Sequence, residues 1–152
     1  VQDTTTTVQD TTTTVQDTTT TVQDTTDSQC IEWDKATKSH ILQMADLLKI
    51  YVDQTENYIN NTISFEVYLN TLDELIYESG ELIDLQQNTI PNKENETASG
   101  SVRGAFAAYN QGFYSYKTGQ EENDEFWINE GNDYIEFGTF NINEYYKTLK
   151  NC

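Results

Sequence analysis

CIEWDKATKSHILQMADLLKIYVDQTENYI, residues 30–59, carries the clearest structural signal in the chain. One set of residues in it recurs at alternating steps of three and four, which is the spacing of a single helix face. The stripe consists of Cys30, Trp33, Thr37, His40, Met44, Leu47, Tyr51 and Tyr58, and it is widened by Ile41, Leu48 and Val52. This pattern predicts a long amphipathic helix that buries one face.

The next segment predicts a second helix, from about residue 64 to residue 87. Ser64 is a suitable N-cap, because its hydroxyl can accept a bond from a free backbone N–H of the first turn. The predicted buried stripe is Phe65, Leu69, Leu72, Ile76, Ser79 and Ile83, flanked by Tyr68, Leu75 and Leu82. A polar stretch follows, QNTIPNKENETASGS at 87–101, and its Pro91 and Gly100 predict a loop.

Two further helices are predicted after this loop. The first covers about 101–118 and buries Val102, Phe106, Tyr109, Phe113 and Tyr116, with Gly119 as a left-handed cap. The second covers about 123–151 on the stripe Ile128, Gly131, Ile135, Gly138, Ile142, Tyr145, Leu149 and Cys152. Glycines on a buried stripe allow a neighbouring helix or aromatic ring to come close. A β-hairpin over YIEFGTFNI, residues 134–142, is the alternative.

The four helices and the two cysteines predict one architecture, an all-α, up-down-up-down four-helix bundle over residues 29–152. In such a bundle the first helix starts, and the fourth ends, at the same pole. Cys30 and Cys152 lie there, so we expect a disulfide that contributes several kcal/mol by closing a loop of about 120 residues. Three helices would separate the cysteines, and two unrelated free thiols are the alternative to a bridge.

The N-terminal 28 residues are four tandem heptapeptides: VQDTTTT at 1–7, 8–14 and 15–21, and VQDTTDS at 22–28. One Val per heptad is too little for a coiled-coil seam, which needs two apolar positions. A period of seven also turns successive Val side chains to opposite faces of a strand. The repeat therefore predicts an extended segment over 1–28, with a bare flexible linker as the alternative.

This block resembles the Thr-rich, O-glycosylated tandem-repeat stalks of microbial surface proteins and glycan-coated fibrils. It departs from mucin-type stalks in containing no proline. The resemblance implies that the threonines carry O-linked sugar. The implied acceptors are Thr4, Thr5, Thr6, Thr7, Thr11, Thr12, Thr13, Thr14, Thr18, Thr19, Thr20, Thr21, Thr25 and Thr26.

Charge and sequons add to this picture. The formal net charge of −18 repels nucleic acid and anionic membranes. No apolar run approaches the ~20 residues that span a bilayer. Asn60 and Asn95 begin the N-glycosylation sequons Asn-Asn-Thr and Asn-Glu-Thr, and we expect both to be exposed.

The chemistry of catalysis is not indicated. His40 is the single histidine and lies on the inward stripe, where a buried, hydrogen-bonded role is expected. The cysteines lack metal-site spacing, and the acidic stretches at 121–125 and 129–133 lack the EF-hand pattern. We expect no catalytic residue, no metal site, no cofactor and no enzymatic activity.

The sequence therefore favours a structural subunit of an extracellular, glycosylated fibril or surface filament. Its expected partners are covalent glycans and further copies of itself, without nucleic acid and without a membrane span in this chain. The alternative is a stalked cell-surface adhesin whose helical head binds a ligand in a groove lined by Tyr114, Tyr116 and Trp127.

Overall fold

The computed structural model describes residues 20–152, with side chains from residue 28 onward. It contains four helices: α1 (Thr20–Ile59), α2 (Phe65–Gln87), α3 (Glu96–Glu122) and α4 (Glu125–Thr148). A 3-10 turn at Lys93–Asn95 precedes α3. The described residues contain no strand, so the predicted all-α fold is confirmed, and the hairpin alternative is wrong because residues 134–142 lie inside α4.

Contacts between consecutive helices show that each runs antiparallel to the one before. Thr55 near the end of α1 bonds Tyr68 near the start of α2, with 2.8 Å between the two hydroxyl oxygens. Lys117 late in α3 pairs with Asp73 early in α2 at 2.9 Å. The α3–α4 pair is also antiparallel, because Gly119 late in α3 lies against the start of α4. The helices therefore run up, down, up and down.

Helix α1 begins at Thr20, ten residues before Cys30 and inside the repeat block. The prediction of an extended segment is therefore wrong for residues 20–28, and residues 1–19 lie outside the described residues. Helix propagation explains the difference, because each added residue gains a hydrogen bond once a nucleus exists. The amphipathic stretch from Cys30 supplies that nucleus, and threonine costs only about 0.5 kcal/mol per helical residue.

Two other helix boundaries differ from the prediction. Helix α3 starts five residues earlier than expected, at Glu96, because Ala98 and Ser99 face the interior instead of belonging to a loop. It also ends later, at Glu122, and its C-cap Asn123 adopts the left-handed conformation with φ 54°. Gly119, the predicted cap, is buried within the helix. The predicted N-cap is confirmed, since Ser64 accepts a bond from the backbone N–H of Val67.

The buried stripes follow the sequence pattern closely in α1 and α3, except that Val52 is exposed. In α4 only Gly131, Gly138 and Tyr145 of the predicted stripe are buried, and Cys152 lies beyond the helix and is exposed. The five residues predicted for α3 are all buried, as are Cys30, Trp33, Met44, Leu47 and Tyr51 of α1. The α2 stripe is shifted by about one position, with Phe65 exposed and Tyr68, Leu72, Leu75, Ser79, Leu82 and Gln86 buried. Leu72 and Ser79 of the predicted stripe are buried, and the flanking residues Tyr68, Leu75 and Leu82 join them in the core.

Aromatic rings fill the interior where α1, α2 and α3 meet. Tyr51 of α1 lies 5.4 Å from the rings of both Phe113 and Tyr116. Tyr68 of α2 stacks on Tyr58 at 4.7 Å. Burial raises the pKa of the Tyr51 and Tyr68 phenols well above the ordinary value. Both hydroxyls therefore stay neutral at any ordinary pH.

Glycine residues bring α3 and α4 into backbone contact. A Cβ added at Gly131 of α4 would lie 2.9 Å from the carbonyl oxygen of Gly112 and 2.9 Å from the backbone nitrogen of Tyr116. A Cβ at Gly138 would lie 2.5 Å from the Tyr109 ring. The predicted close approach at these two α4 glycines is confirmed.

Candidate functional site

At one pole of the bundle, a disulfide joins α1 to the C-terminal segment. Cys30 in α1 and Cys152 are bonded, with 5.5 Å between their Cα atoms, so the predicted bridge is confirmed. Beside it Trp33 packs edge-to-face on Tyr145 of α4 at 6.4 Å. Burial and the nearby Asp34 carboxylate raise the pKa of Tyr145, whose hydroxyl lies 3.5 Å from that carboxylate. The bridge therefore lies beside a local contact between α1 and α4, made by Trp33, Asp34 and Tyr145.

Asn95 holds the C-terminal segment against this pole. Its side-chain oxygen accepts a bond from the backbone N–H of Lys150 at 2.8 Å. Its amide nitrogen lies 3.4 Å from Cys30 Sγ, 3.3 Å from the Lys150 carbonyl oxygen and 2.9 Å from Asn92 Oδ1. The residue is fully buried. The expectation that Asn95 is exposed is therefore wrong, because its amide bonds the last residues of the chain.

Asn60 has the opposite environment. It is exposed in the turn between α1 and α2, as predicted. The next residue, Asn61, is left-handed with φ 57°, and the backbone N–H of Thr62 bonds the Asn57 carbonyl. Both features close the end of α1 as a helix cap. The Asn60 side chain is thus free for modification, and its glycosylation stays a prediction.

The predicted O-glycosylation sites fall into two groups. Thr20, Thr21, Thr25 and Thr26 belong to the first turns of α1. The other ten candidate threonines lie outside the described residues. Their modification stays a prediction.

His40 takes part in a polar chain between α1 and α2. Its Nδ1 lies 2.8 Å from Gln86 Oε1, and Gln86 donates from Nε2 to Thr37 Oγ1 at 3.2 Å. Gln86 and Thr37 are fully buried, whereas His40 is half-buried. The expected hydrogen-bonded role of His40 is confirmed. The chain satisfies buried polar groups, and nothing about it provides a nucleophile or a metal ligand set.

An open groove lies between α1 and α2, and we call it the acidic groove. Its floor is apolar, and its rim carries carboxylates from both helices. It has a volume of about 370 Å³ and is lined by Gln43, Asp46, Leu47, Ile50, Glu78, Glu81, Leu82 and Leu85. A smaller depression shares Leu47, Ile50 and Glu78 and adds Thr71, Glu74 and Leu75. Ile50 and Leu85 are about half exposed.

A complementary surface lies on α1 itself, which we call the lysine stripe. Ile31, Lys35, Lys38, Leu42 and Lys49 follow one another at helical steps of three, four or seven and are all exposed. Leu42 is 68% exposed, more than most apolar side chains of the chain. Lys38 pairs with Asp34 at 2.7 Å, while Lys35 and Lys49 form no salt bridge with the described side chains. The stripe thus pairs apolar side chains with positive charge.

The aromatic residues of the adhesin alternative do not form one site. Tyr116 is buried in the core beside Tyr51, whereas Tyr114 is exposed. Residues two apart on a helix face different directions, which separates them. Trp127 lies at the start of α4 next to Phe126. A groove lined by these three residues is therefore wrong.

In the described part of the chain, none of the four helices combines the length and the apolarity that a membrane crossing needs. The same residues contain no group of three or more His, Cys, Asp and Glu side chains arranged to hold a metal ion. No protein-family model, curated protein or solved structure matches the chain.

Sequence reasoning missed the acidic groove, the lysine stripe and the role of Asn95. The lysine stripe was visible in principle, because Lys35, Leu42 and Lys49 stand seven residues apart. The groove depends on how far α1 and α2 separate, which one sequence does not fix. Asn95 lies 65 positions from Cys30 and 55 positions from Lys150, so no local sequence pattern predicts these contacts.

Proposed function

We propose that this chain is a structural subunit of an extracellular fibril or surface filament. In the proposal the bundle is the assembly module, and the Thr-rich repeat is the glycan-bearing segment. Head-to-tail contacts join successive copies, with the lysine stripe of one copy in the acidic groove of the next. Such heterologous contacts build open filaments when their rotation does not close.

The complementarity of these two surfaces is the observation that carries the proposal. The groove offers an apolar floor at Leu47 and Leu82 and carboxylates at Glu78 and Glu81. The stripe offers an apolar side chain at Leu42 between Lys35 and Lys49. From residue 71 to residue 85 the α2 side of the groove covers about 21 Å, at a helical rise of 1.5 Å per residue. The stripe, from 31 to 49, covers about 27 Å on the same measure.

Two further features support a building-block role. The Cys30–Cys152 disulfide is typical of proteins from oxidising compartments, which include the cell exterior. Helix α1 is continuous from Thr20 into the bundle, so the last part of the repeat block and the bundle share one helix. A continuous helix fixes the direction in which the chain enters the bundle, which a regular assembly requires.

Charge reversal with rescue tests the proposal. The whole chain is prepared with Glu78→Lys and Glu81→Lys in the groove, with Lys35→Glu and Lys49→Glu in the stripe, or with all four changes. Sedimentation velocity at low ionic strength should show assemblies for the natural chain, monomers for each double variant and assemblies again for the quadruple variant. Salt should weaken the assemblies, since exposed charges are screened beyond about 10 Å at 0.1 M.

A matched control carries Asp133→Lys and Glu136→Lys on the outer face of α4. It changes the net charge by the same amount as the groove variant but leaves both surfaces intact, so it should still assemble. Monomers of the natural chain at every concentration would overturn the proposal. So would loss of assembly in the quadruple variant together with loss in the control. Negative-stain images of native material should show uniform filaments.

A stalked adhesin is the second candidate, favoured by one observation. Helix α4 exposes Phe126, Phe137 and Phe140, and the last two rings stack at 6.5 Å. An exposed aromatic face beside Glu130 and Asp133 suits a ligand from outside the chain better than solvent. Dispersed single particles in the microscope, with assembly lost at every concentration, would favour this candidate.

A further inference from the structure

The burial of Asn95 has a consequence for modification of the chain. Asn95 begins a complete sequon with Glu96 and Thr97, and an N-linked glycan would attach to its Nδ2 atom. In the folded chain that nitrogen is surrounded by Cys30 Sγ, Asn92 Oδ1 and the Lys150 carbonyl oxygen, all within 3.4 Å. Its solvent exposure is zero. No path leads a sugar from this atom to solvent while these neighbours stay in place.

The neighbours are the parts that the disulfide brings together. Cys30 is one half of the bridge, and Lys150 stands two residues before the other half. The Asn95 side chain accepts a hydrogen bond from the Lys150 N–H and donates one to the Lys150 carbonyl oxygen. Both backbone groups of Lys150 are therefore bonded to Asn95. Beyond α4, which ends at Thr148, this segment has no regular secondary structure to hold it. Asn95 supplies the side-chain contacts that fix it.

We propose that Asn95 is the positioning residue for closure of the Cys30–Cys152 disulfide, and that its sequon is a modification site of the open chain alone. A glycan on Asn95 and a closed bridge then exclude one another. If glycosylation of Asn95 comes first, the bridge cannot close, and if the bridge closes first, Asn95 cannot be glycosylated. This inference does not rest on the proposed filament.

The chain contains its own control for this test. Asn60 also begins a sequon, but it is exposed in a turn far along α1 from the bridge. Thr62→Ala removes the Asn60 sequon and leaves that of Asn95, and Thr97→Ala does the reverse. Thr62 and Thr97 are both exposed, so neither change disturbs the core.

The first arm compares the folded chain and the unfolded chain as substrates for N-glycosylation. The oxidised, folded chain and the reduced, unfolded chain are each incubated with an oligosaccharyltransferase and a lipid-linked oligosaccharide. Site occupancy is then read by mass spectrometry of peptides. We expect Asn95 to be modified at least tenfold more in the open chain than in the closed chain. Equal occupancy of Asn95 in both forms, or none in the open chain, would overturn the inference.

The second arm asks whether the glycan blocks the bridge. Open chains of the Thr62→Ala variant, glycosylated at Asn95, are reoxidised beside chains of the Thr97→Ala variant glycosylated at Asn60. Trapping of free thiols should show Cys30 and Cys152 unbridged in the first and bridged in the second. Bridge formation at the same rate in both would contradict the exclusion.

The third arm tests positioning without sugar. Asn95→Ala should lower the equilibrium constant for bridge closure in a thiol–disulfide buffer about tenfold, since a pair of lost hydrogen bonds is worth about 1.4 kcal/mol. Asn95→Asp retains the oxygen that accepts from Lys150 and should recover part of the loss. If both variants close the bridge like the natural chain, Asn95 has no positioning role.

Discussion

The two helix pairs of this bundle, α1–α2 and α3–α4, start from similar apolar stripes and pack in different ways. Between α3 and α4 glycines let backbone touch backbone, with Gly112 and Gly131 in direct contact. Between α1 and α2 a chain of buried polar side chains crosses the interface, and the acidic groove stays open. The difference shows that small residues on a stripe let two helices come into backbone contact, and that the pair without them leaves an open groove.

The disulfide joins the two pairs, and its removal should have the largest effect on stability. Cys152→Ser should lower the free energy of unfolding by about 5 kcal/mol, because a loop of this length costs the unfolded chain much entropy when closed. Urea unfolding measures the change. The variant with serine at both cysteines should match the reduced natural chain. A loss under about 1 kcal/mol would mean that packing alone holds α1 to α4.

Adding a methyl group to the close pair should have the next largest effect. Gly131→Ala places a carbon against backbone atoms that have nowhere to move, and we expect a loss of about 3 kcal/mol. Gly100→Ala is the control, because a Cβ there meets nothing within 4 Å. It should stabilise the helix by about 0.5–1 kcal/mol. Equal effects of the two changes in thermal or urea unfolding would contradict backbone contact at Gly131.

Alkaline pH should weaken the region where the two pairs meet. Burial raises the pKa of Tyr51, so its phenol is neutral in the folded chain but ionises in the unfolded chain near pH 10. The stabilisation is complete below pH 10 and is lost as the pH rises beyond it. Above pH 10 the unfolding free energy of the natural chain should fall with pH more steeply than that of Tyr51→Phe. The two slopes should differ by about 1.4 kcal/mol per pH unit. An unchanged slope would mean that Tyr51 ionises equally in both states.

Truncation of one isoleucine in each helix pair compares α3–α4 with α1–α2 most directly, and it should give the smallest losses of unfolding free energy. Ile135→Ala in α4 removes a side chain that packs over Gly112 and should cost about 2 kcal/mol. Ile50→Ala in the acidic groove removes a side chain that is 43% exposed, so the cost should stay under about 1 kcal/mol. Urea unfolding of both variants makes the comparison, and a larger loss at Ile50 would reverse it.

Much of this fold could be predicted from sequence, because helical periodicity is a local signal. The stripe of α1, the cap at Ser64 and the glycines of α4 all follow from spacing and residue type. The start of α3 was not predicted, because Pro91 and Gly100 in a polar stretch indicated a loop, whereas Ala98 and Ser99 are buried by tertiary packing. The start of α1 was missed for a related reason, since helix propagation depends on the neighbouring nucleus more than on threonine itself.

At the pole that holds the disulfide, the sequence predicted the bridge but not the environment of Asn95. The disulfide followed from helix count, because both cysteines stand at the same pole of an antiparallel bundle. The burial of Asn95 did not follow, because a sequon in a polar stretch with proline is typical of an exposed loop. Its partners Cys30 and Lys150 lie 120 positions apart in the sequence, and only the folded chain brings them together.

The placement of the bridge also determines how the molecule responds to being pulled. Tension applied between the repeat and residue 152 runs along the first turns of α1 to Cys30 and crosses the sulfur atoms directly to Cys152. The 121 residues between the cysteines lie outside this load path. The four-helix domain therefore bears none of this tension, and it stays folded under forces that would unfold a bundle without the disulfide. Reduction inserts those residues into the load path, so the same pull then lengthens the chain.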